Sequence, residues 1–257
     1  MRKIFLFFLL VATGLTAFSQ KTKKEKKEER RQRINAMIKQ EEEGVIAYHK
    51  HSVFGIKMNT DGYGAYLEIG RAQSIKKAML FQLEITERKH PKEEKVSYFG
   101  GSSIPYIYGK RNFVYNVKLG VQQQILLGNK SNKNGVAVSG NFGGGITVGL
   151  LRPYYVQIKT GRFVKYDSVD STLFLNDSQI AGGPDFGKGW GEMKVNPGLY
   201  AKGGIRFDYG KFNEMVNAVE VGLAADFYTK KLQQMVYTKE KQFFFSAYVS
   251  IMFGRRK

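Results

Sequence analysis

The residues able to do chemistry recur at every second position within runs that are otherwise apolar. They are Lys57, Glu68, Glu84, Lys118, Lys202, Arg206, Asp208, Glu220 and Asp226. Five carboxylates and four cations arranged this way could be acid–base pairs, a proton or ion path, or a set of mutually neutralising ion pairs. Their near-balance favours the last reading, because an unpaired buried charge is costly and a paired, hydrogen-bonded one is tolerated. A glycosidase pair needs two carboxylates flanking a substrate cleft, and nothing in the spacing puts two there. The nine residues are therefore read as a structural ionic network. No catalytic, cofactor-binding or metal-ligating residue is assigned, and no cofactor is expected.

Other motifs read more blandly. His49-x-His51 could offer two imidazoles to a metal, but with no third ligand or cysteine nearby the pair reads as ordinary surface histidines. His90, with Ser97, Ser102 and Ser103 near it in sequence, is the one histidine placed for a serine hydrolase, and no recognisable serine motif surrounds it. Asp167, Asp170, Asp177 and Asp185 lack the spacing of a calcium loop. Gly143-Gly144-Gly145 and Gly100-Gly101 precede neither Lys-Ser/Thr nor a helix, so they are not phosphate loops. Trp190 reads as a loop-packing or interfacial side chain.

The elements that must carry the ionic lane are strands. Alternation predicts them over 52–60, 63–73, 78–88, 111–123, 136–150, 199–210, 217–229 and 242–253, with Asp61-Gly62 as a tight hairpin. Eight antiparallel strands put both termini on one side. The connections 74–77, 128–135 and 211–216 are then short, while 89–110, 159–198 and 230–241 are long and opposite. That asymmetry belongs to outer-membrane barrels. The polar lane is rich in glycine, which an eight-stranded bore needs because small residues must make room for large ones. A soluble barrel is the alternative fold. Ten strands would result if Phe163, Tyr166 and residues 173–175 formed an added hairpin, and 152–158 could extend the fifth strand, placing Tyr154 and Tyr155 in an interfacial belt.

The 257 residues contain no apolar run long enough for a membrane helix beyond the N-terminus. Residues 1–19 read as a signal peptide: Arg2 and Lys3, an apolar core, then Ala17 and Ser19 before a cut at Gln20. Residues 20–44 form a charged periplasmic arm, helical or disordered, and 45–257 the barrel. There is no cysteine, so no disulfide framework exists. The net charge of +19 is dispersed and accompanies no recognition motif, so nucleic acid is not expected as a partner and anionic lipid, including lipopolysaccharide phosphate, is.

The ending Phe18-Ser19-Gln20 of the signal, the eight amphipathic strands, and a last strand running into Phe253-Gly254-Arg255-Arg256-Lys257 resemble the small outer-membrane β-barrel proteins of Bacteroidetes-type Gram-negative bacteria. The resemblance covers about residues 45–257. It implies an all-β, eight-stranded antiparallel transmembrane barrel in the bacterial outer membrane, termini in the periplasm, delivered by the barrel-assembly machinery. No catalytic residue carries over. The expected function is that of a structural or interaction protein acting through its extracellular loops, with another envelope protein as a partner, and not that of an enzyme. The alternatives are a small lipid-modifying enzyme and a narrow pore.

Overall fold

The computed structural model describes residues 27–29, 31, 32, 35, 50–74, 76–97, 104–130, 135–210 and 215–256. The chain forms two compact units, Met1–Ala47 and Tyr48–Lys257. Within the first, residues 27–29, 31, 32 and 35 are helical. The signal segment, the rest of the arm, His49, Ser102, Ser103 and Gly100-Gly101 lie outside the described residues.

In chain order the described strands are β1 (Lys50–Asn59), β2 (Gly62–Ser74), β3 (Lys77–Arg88), β4 (Lys95–Val96), β5 (Tyr106–Ile107), β6 (Asn112–Gly128), β7 (Ala137–Pro153), β8 (Tyr155–Ile158), β9 (Phe163–Lys165), β10 (Ile180–Gly182), β11 (Lys194–Asp208), β12 (Met215–Leu232) and β13 (Lys241–Arg256). Eight of them close a barrel in the order β1-β13-β12-β11-β7-β6-β3-β2, every pair antiparallel. The strand count is eight. Residues 159–198 add no hairpin to the ring, because β8, β9 and β10 pair among themselves as a separate sheet. The last strand does not stop at Phe253: Gly254, Arg255 and Arg256 pair with Val53, Ser52 and His51, so the basic tail belongs to the barrel wall.

Both ends of the described barrel chain lie at one rim, the near end, with the short links 75–76, 129–136 and 209–214. The hairpin 60–61 and the long connections 89–111, 154–193 and 233–240 lie at the far end. Successive side chains of a strand point to opposite faces, and here the two faces have inverted polarity. Outward residues such as Leu67, Ile69, Leu119, Ile146, Leu199 and Leu223 are half or more exposed, whereas Lys57, Glu68, Glu84 and Glu220 inside are at most 1% exposed.

Tyrosines and glycines interlock inside the barrel. Tyr66 faces Gly55 across β2–β1, Tyr248 faces Gly222 and then Gly204 across β13–β12–β11, and Tyr200 faces Gly145 and then Gly120 across β11–β7–β6. A Cβ on Gly55 would lie 2.3 Å from the Tyr66 ring, one on Gly120 2.3 Å from the Tyr200 hydroxyl, and one on Gly204 2.8 Å from that of Tyr248. Each ring therefore lies across the glycine of a neighbouring strand, and all three lean the same way round the barrel. Gly55→Ala should destabilise the barrel by about 1–3 kcal/mol through overpacking. Gly203→Ala, on the outward lane where the nearest atom to the new Cβ is 3.8 Å away, should be near neutral. Urea unfolding in micelles measures both, and equal effects would refute the interlock.

Candidate functional site

The lumen brings together all nine residues of the ionic lane. Near the short-turn rim, Asp208 is held by Lys130 Nζ at 3.4 Å and by Arg256. The guanidinium of Arg206 donates to both oxygens of Glu68 at 2.8 Å and, through Nε, to Glu220 at 2.9 Å. Glu220 also accepts from Asn141 Nδ2 at 2.6 Å and the Tyr248 hydroxyl at 2.7 Å, with Lys202 Nζ at 3.8 Å. Further along, Glu84 receives Lys57 Nζ at 2.9 and 3.0 Å. Asp226 pairs with Lys118 at 2.7 Å and with Arg88, and Arg88 Nε reaches Asp61 at 2.6 Å.

Ring faces complete the solvation of the ammonium groups. Lys57 lies 4.3 Å from the Tyr248 ring centre, Lys118 5.2 Å from that of Tyr200, and Lys202 between those of Tyr66 at 5.6 Å and Tyr248 at 5.4 Å. Such contacts strengthen where water is excluded. Arg88 and Arg256 were not among the expected residues; Arg88 pairs with Asp226 and Arg256 with Asp208, so both add cations to acids of the lane. His51 corrects the sequence reading: it is buried against Glu68, its Nε2 3.4 Å from Oε1, and is not a surface histidine.

The long connections fold into a cap with its own apolar core. Tyr106 and Ile107 from the first, Tyr154, Val156, Val164, Phe174 and Ile180 from the second, and Met235 from the third pack together. Backbone bonds stitch the segments: Arg111 N to Gln234 O at 2.7 Å, Val236 N to Gly109 O at 2.8 Å, Tyr154 N to Arg111 O at 2.9 Å and Gly183 N to Ile104 O at 2.7 Å. Tyr154, expected in an interfacial belt, is instead buried here, its hydroxyl accepting from Ile107 N at 2.8 Å. Burial pushes its phenol up to about 12. Burial likewise depresses Lys110, against the opposing pull of Glu93 at 2.6 Å.

The cap's titratable groups do local work. His90 Nδ1 accepts from Lys92 N at 3.2 Å, and the His90 backbone N–H donates to Glu93 Oε1 at 3.0 Å; burial lowers the pKa of the imidazole. Asp167 accepts from Val169 N and Asp170 N, which places the helical turn Ser171–Phe174, and Asp170 pairs with Arg162 at 2.6 Å. Asp177 accepts from the Tyr106 hydroxyl. Among the described residues no three His, Cys, Asp or Glu side chains are grouped to hold a metal.

On the outer wall just below the cap, Trp190 stacks on Tyr115 with ring centres 5.7 Å apart, and its indole N–H donates to Phe186 O at 2.7 Å. Arg152 lies beneath, 4.2 Å from the Phe113 ring and 4.6 Å from that of Trp190, with Nη1 donating to Phe186 O at 3.2 Å. Gly189 makes this possible. Its φ of 85° suits a residue without Cβ, and a Cβ there would meet Pro153 O at 2.7 Å and Arg152 Cγ at 3.2 Å.

No family model matches the chain, and no curated protein matches it. Among solved structures it is similar to the N-terminal β-barrel domain of Pseudomonas aeruginosa OprF, with 8% identity and a TM-score of 0.36 over 80% of this chain and 98% of that one. It is similar also to Ail, the attachment invasion locus protein of Yersinia pestis, at 10% identity and TM-score 0.39, covering 82% and 99%. A third likeness is Neisserial surface protein A, at 9% and 0.36, covering 82% and 97%. The fold assignment rests on the closed strand pairing itself.

Proposed function

We propose that this protein is an outer-membrane barrel of a Gram-negative bacterium, a structural or interaction protein whose far-end cap faces outward and whose termini lie in the periplasm. One observation carries the reading: the wall is apolar on its exposed face and charged on its buried face. Water would be a poor solvent for that exterior, and lipid a good one. A closed ring also leaves no backbone edge unsatisfied in hydrocarbon. The short links at the rim of the termini and the long ones opposite support the orientation. Residues 1–19 and the closing pattern at Phe253 support export and a Bacteroidetes-type envelope, with β13 as the strand offered to the assembly machinery.

A lumen filled by paired side chains and interlocked tyrosines suits a wall element better than a pore, since eight strands leave room for little else. The cap, drawn from three connections, is the face available to another envelope protein. A lipid-modifying enzyme would need an activated nucleophile, whereas the Nδ1 atom of His90 is occupied by a backbone donor.

Membrane fractionation with a heat-modifiability gel tests the assignment. The unboiled protein should stay with carbonate-washed outer membranes and migrate faster than the boiled form. Recovery in the soluble fraction, with one mobility at both temperatures, would refute it.

A further inference from the structure

We propose that the outer wall at the near end of β1, β2 and β13 binds an anionic glycerophospholipid, with Lys50, Arg71 and Arg255 as the cations that hold its phosphate. The inference rests on the outer-membrane reading above, which puts this rim in the periplasmic leaflet, and adds a site to it.

Strand register brings the three cations onto one face. Along β1 the side chains of His51, Val53 and Lys57 are buried in the lumen, so Lys50, Ser52 and Phe54 point outward. Lys50 is directly opposite Arg71 in the β1–β2 ladder, and Ser52, the next outward residue, is opposite Arg255 in the β1–β13 ladder. Residues opposite one another share a face of the sheet, and the alternation agrees: Gly70 and Met252 are buried, Arg71 and Arg255 exposed. Lys77, exposed beside buried Ala78, continues the row on β3.

Like charges set directly opposite one another destabilise a ladder, and no acid relieves this pair. Lys50, Arg71, Lys77 and Arg255 form no ion pair with a carboxylate among the described residues. In the lumen, by contrast, Lys57, Lys118, Lys202 and Arg206 each have an acid beside them. The outward cations call for an anion from outside the chain.

Ser52 gives that anion a seat. Its small side chain lies between Arg255 on one side and Ile69 on the other, with Lys50 before it and Phe54 after it along β1. A phosphate over Ser52 has three cations and a hydroxyl donor around it. Phe54, Ile69 and Phe253 are about half exposed and begin the apolar wall beyond the cations, a surface for acyl chains.

The other half of the same rim lacks this polarity. On β6, β7, β11 and β12 its outward residues include Ile125, Leu127, Val138, Phe207 and Met215, and none is charged. One long cation at an interface reaches headgroups of any kind. Several that converge on one side favour a net negative headgroup over a zwitterionic one.

The full chain, folded in neutral detergent, is mixed with phosphatidylglycerol or with phosphatidylcholine of the same acyl chains, and native mass spectrometry follows bound lipid against concentration. Phosphatidylglycerol should bind in preference, its affinity weakened roughly hundredfold in K50Q/R71Q/R255Q, the sum of three ordinary attractions between a basic residue and an anionic headgroup. Removing as much charge from the far-end connections, in K159Q/K188Q/K239Q, should leave the affinity unchanged. Equal affinity of wild type and K50Q/R71Q/R255Q, equal binding of the two lipids, or the same loss in both triple variants would overturn the site. If K50Q/R71Q/R255Q does not fold, K50Q/R71Q, which leaves β13 intact, should lose roughly thirtyfold, and no loss there overturns the site as well. Full displacement of the lipid by inorganic phosphate would overturn the lipid as occupant. If the protein fails the heat-modifiability test, the outer-membrane reading fails first. A heat-modifiable protein without the lipid preference overturns only this site.

Discussion

Arg206→Met should lower the unfolding free energy by about 3–5 kcal/mol, the ordinary loss when one partner of a buried ion pair is removed and the other stays charged. Here two partners stay. Glu68 loses its bidentate clamp and keeps only His51, whereas Glu220 retains Asn141, Tyr248 and the more distant Lys202. Glu68 is therefore the more exposed to the loss, and adding Glu68→Gln to Arg206→Met should recover part of the stability. Urea unfolding in micelles, read by the fraction of heat-modifiable band, gives the comparison. A loss under about 1 kcal/mol, the size of a solvent-exposed pair, would mean that water reaches these carboxylates. Single-channel recordings of the wild type should meanwhile stay near background. A steady current whose ion preference changes on neutralising Lys118 or Arg206 would make the lumen a pore.

The second large effect is expected on the outer face. Leu119→Arg should impair assembly by about 2–4 kcal/mol, since a cation would face lipid near the midplane, and Leu67→Arg and Leu223→Arg should behave alike. Tyr63→Arg, at the far rim, should cost only about 0–1 kcal/mol. Tyr115 is no control for the interface, although it is on the same outward lane, because Trp190 and Arg152 cover it and its replacement would also break that stack. Folding yield into vesicles of fixed thickness measures the series. Equal tolerance at Leu119 and Tyr63 would argue for a barrel surrounded by water.

The ring and its two faces were legible because a pleated strand has a period of two, and that period survives in the order of residues alone. The ionic lane followed from it, but only as far as the apolar alternation ran. Arg88 continues the series Gln82, Glu84 and Thr86 by one more step, His51 continues Val53, Gly55 and Lys57 the other way, and Arg256 continues Met252 and Gly254. Each lies at a rim where the outward lane stops being lipid-facing and the contrast between lanes fades. The tyrosine–glycine rows were legible only as a need for small residues, since naming the pairs requires the register between strands. The cap was not legible. Its core is assembled from Tyr106, Phe174, Ile180 and Met235, which lie in three separate connections with no common period, so no local pattern announces that they meet.

The ring order has a consequence in time. Seven of its eight seams join strands that follow one another along the barrel, and only β1–β13 joins residues some two hundred positions apart. A loop of that span closes slowly, and this seam also carries polar work: the Tyr66 hydroxyl reaches Ser250 at 3.2 Å, Lys57 covers Tyr248, and Thr60 N donates to Ala247 O at 2.9 Å. Until the last strand arrives, the growing sheet has two open edges and a charged face with nothing opposite it. The chain is therefore most vulnerable in the interval between translation of Lys57 and docking of β13, and a helper that holds the two free edges apart from other chains would shorten that interval more than one that stabilises any hairpin.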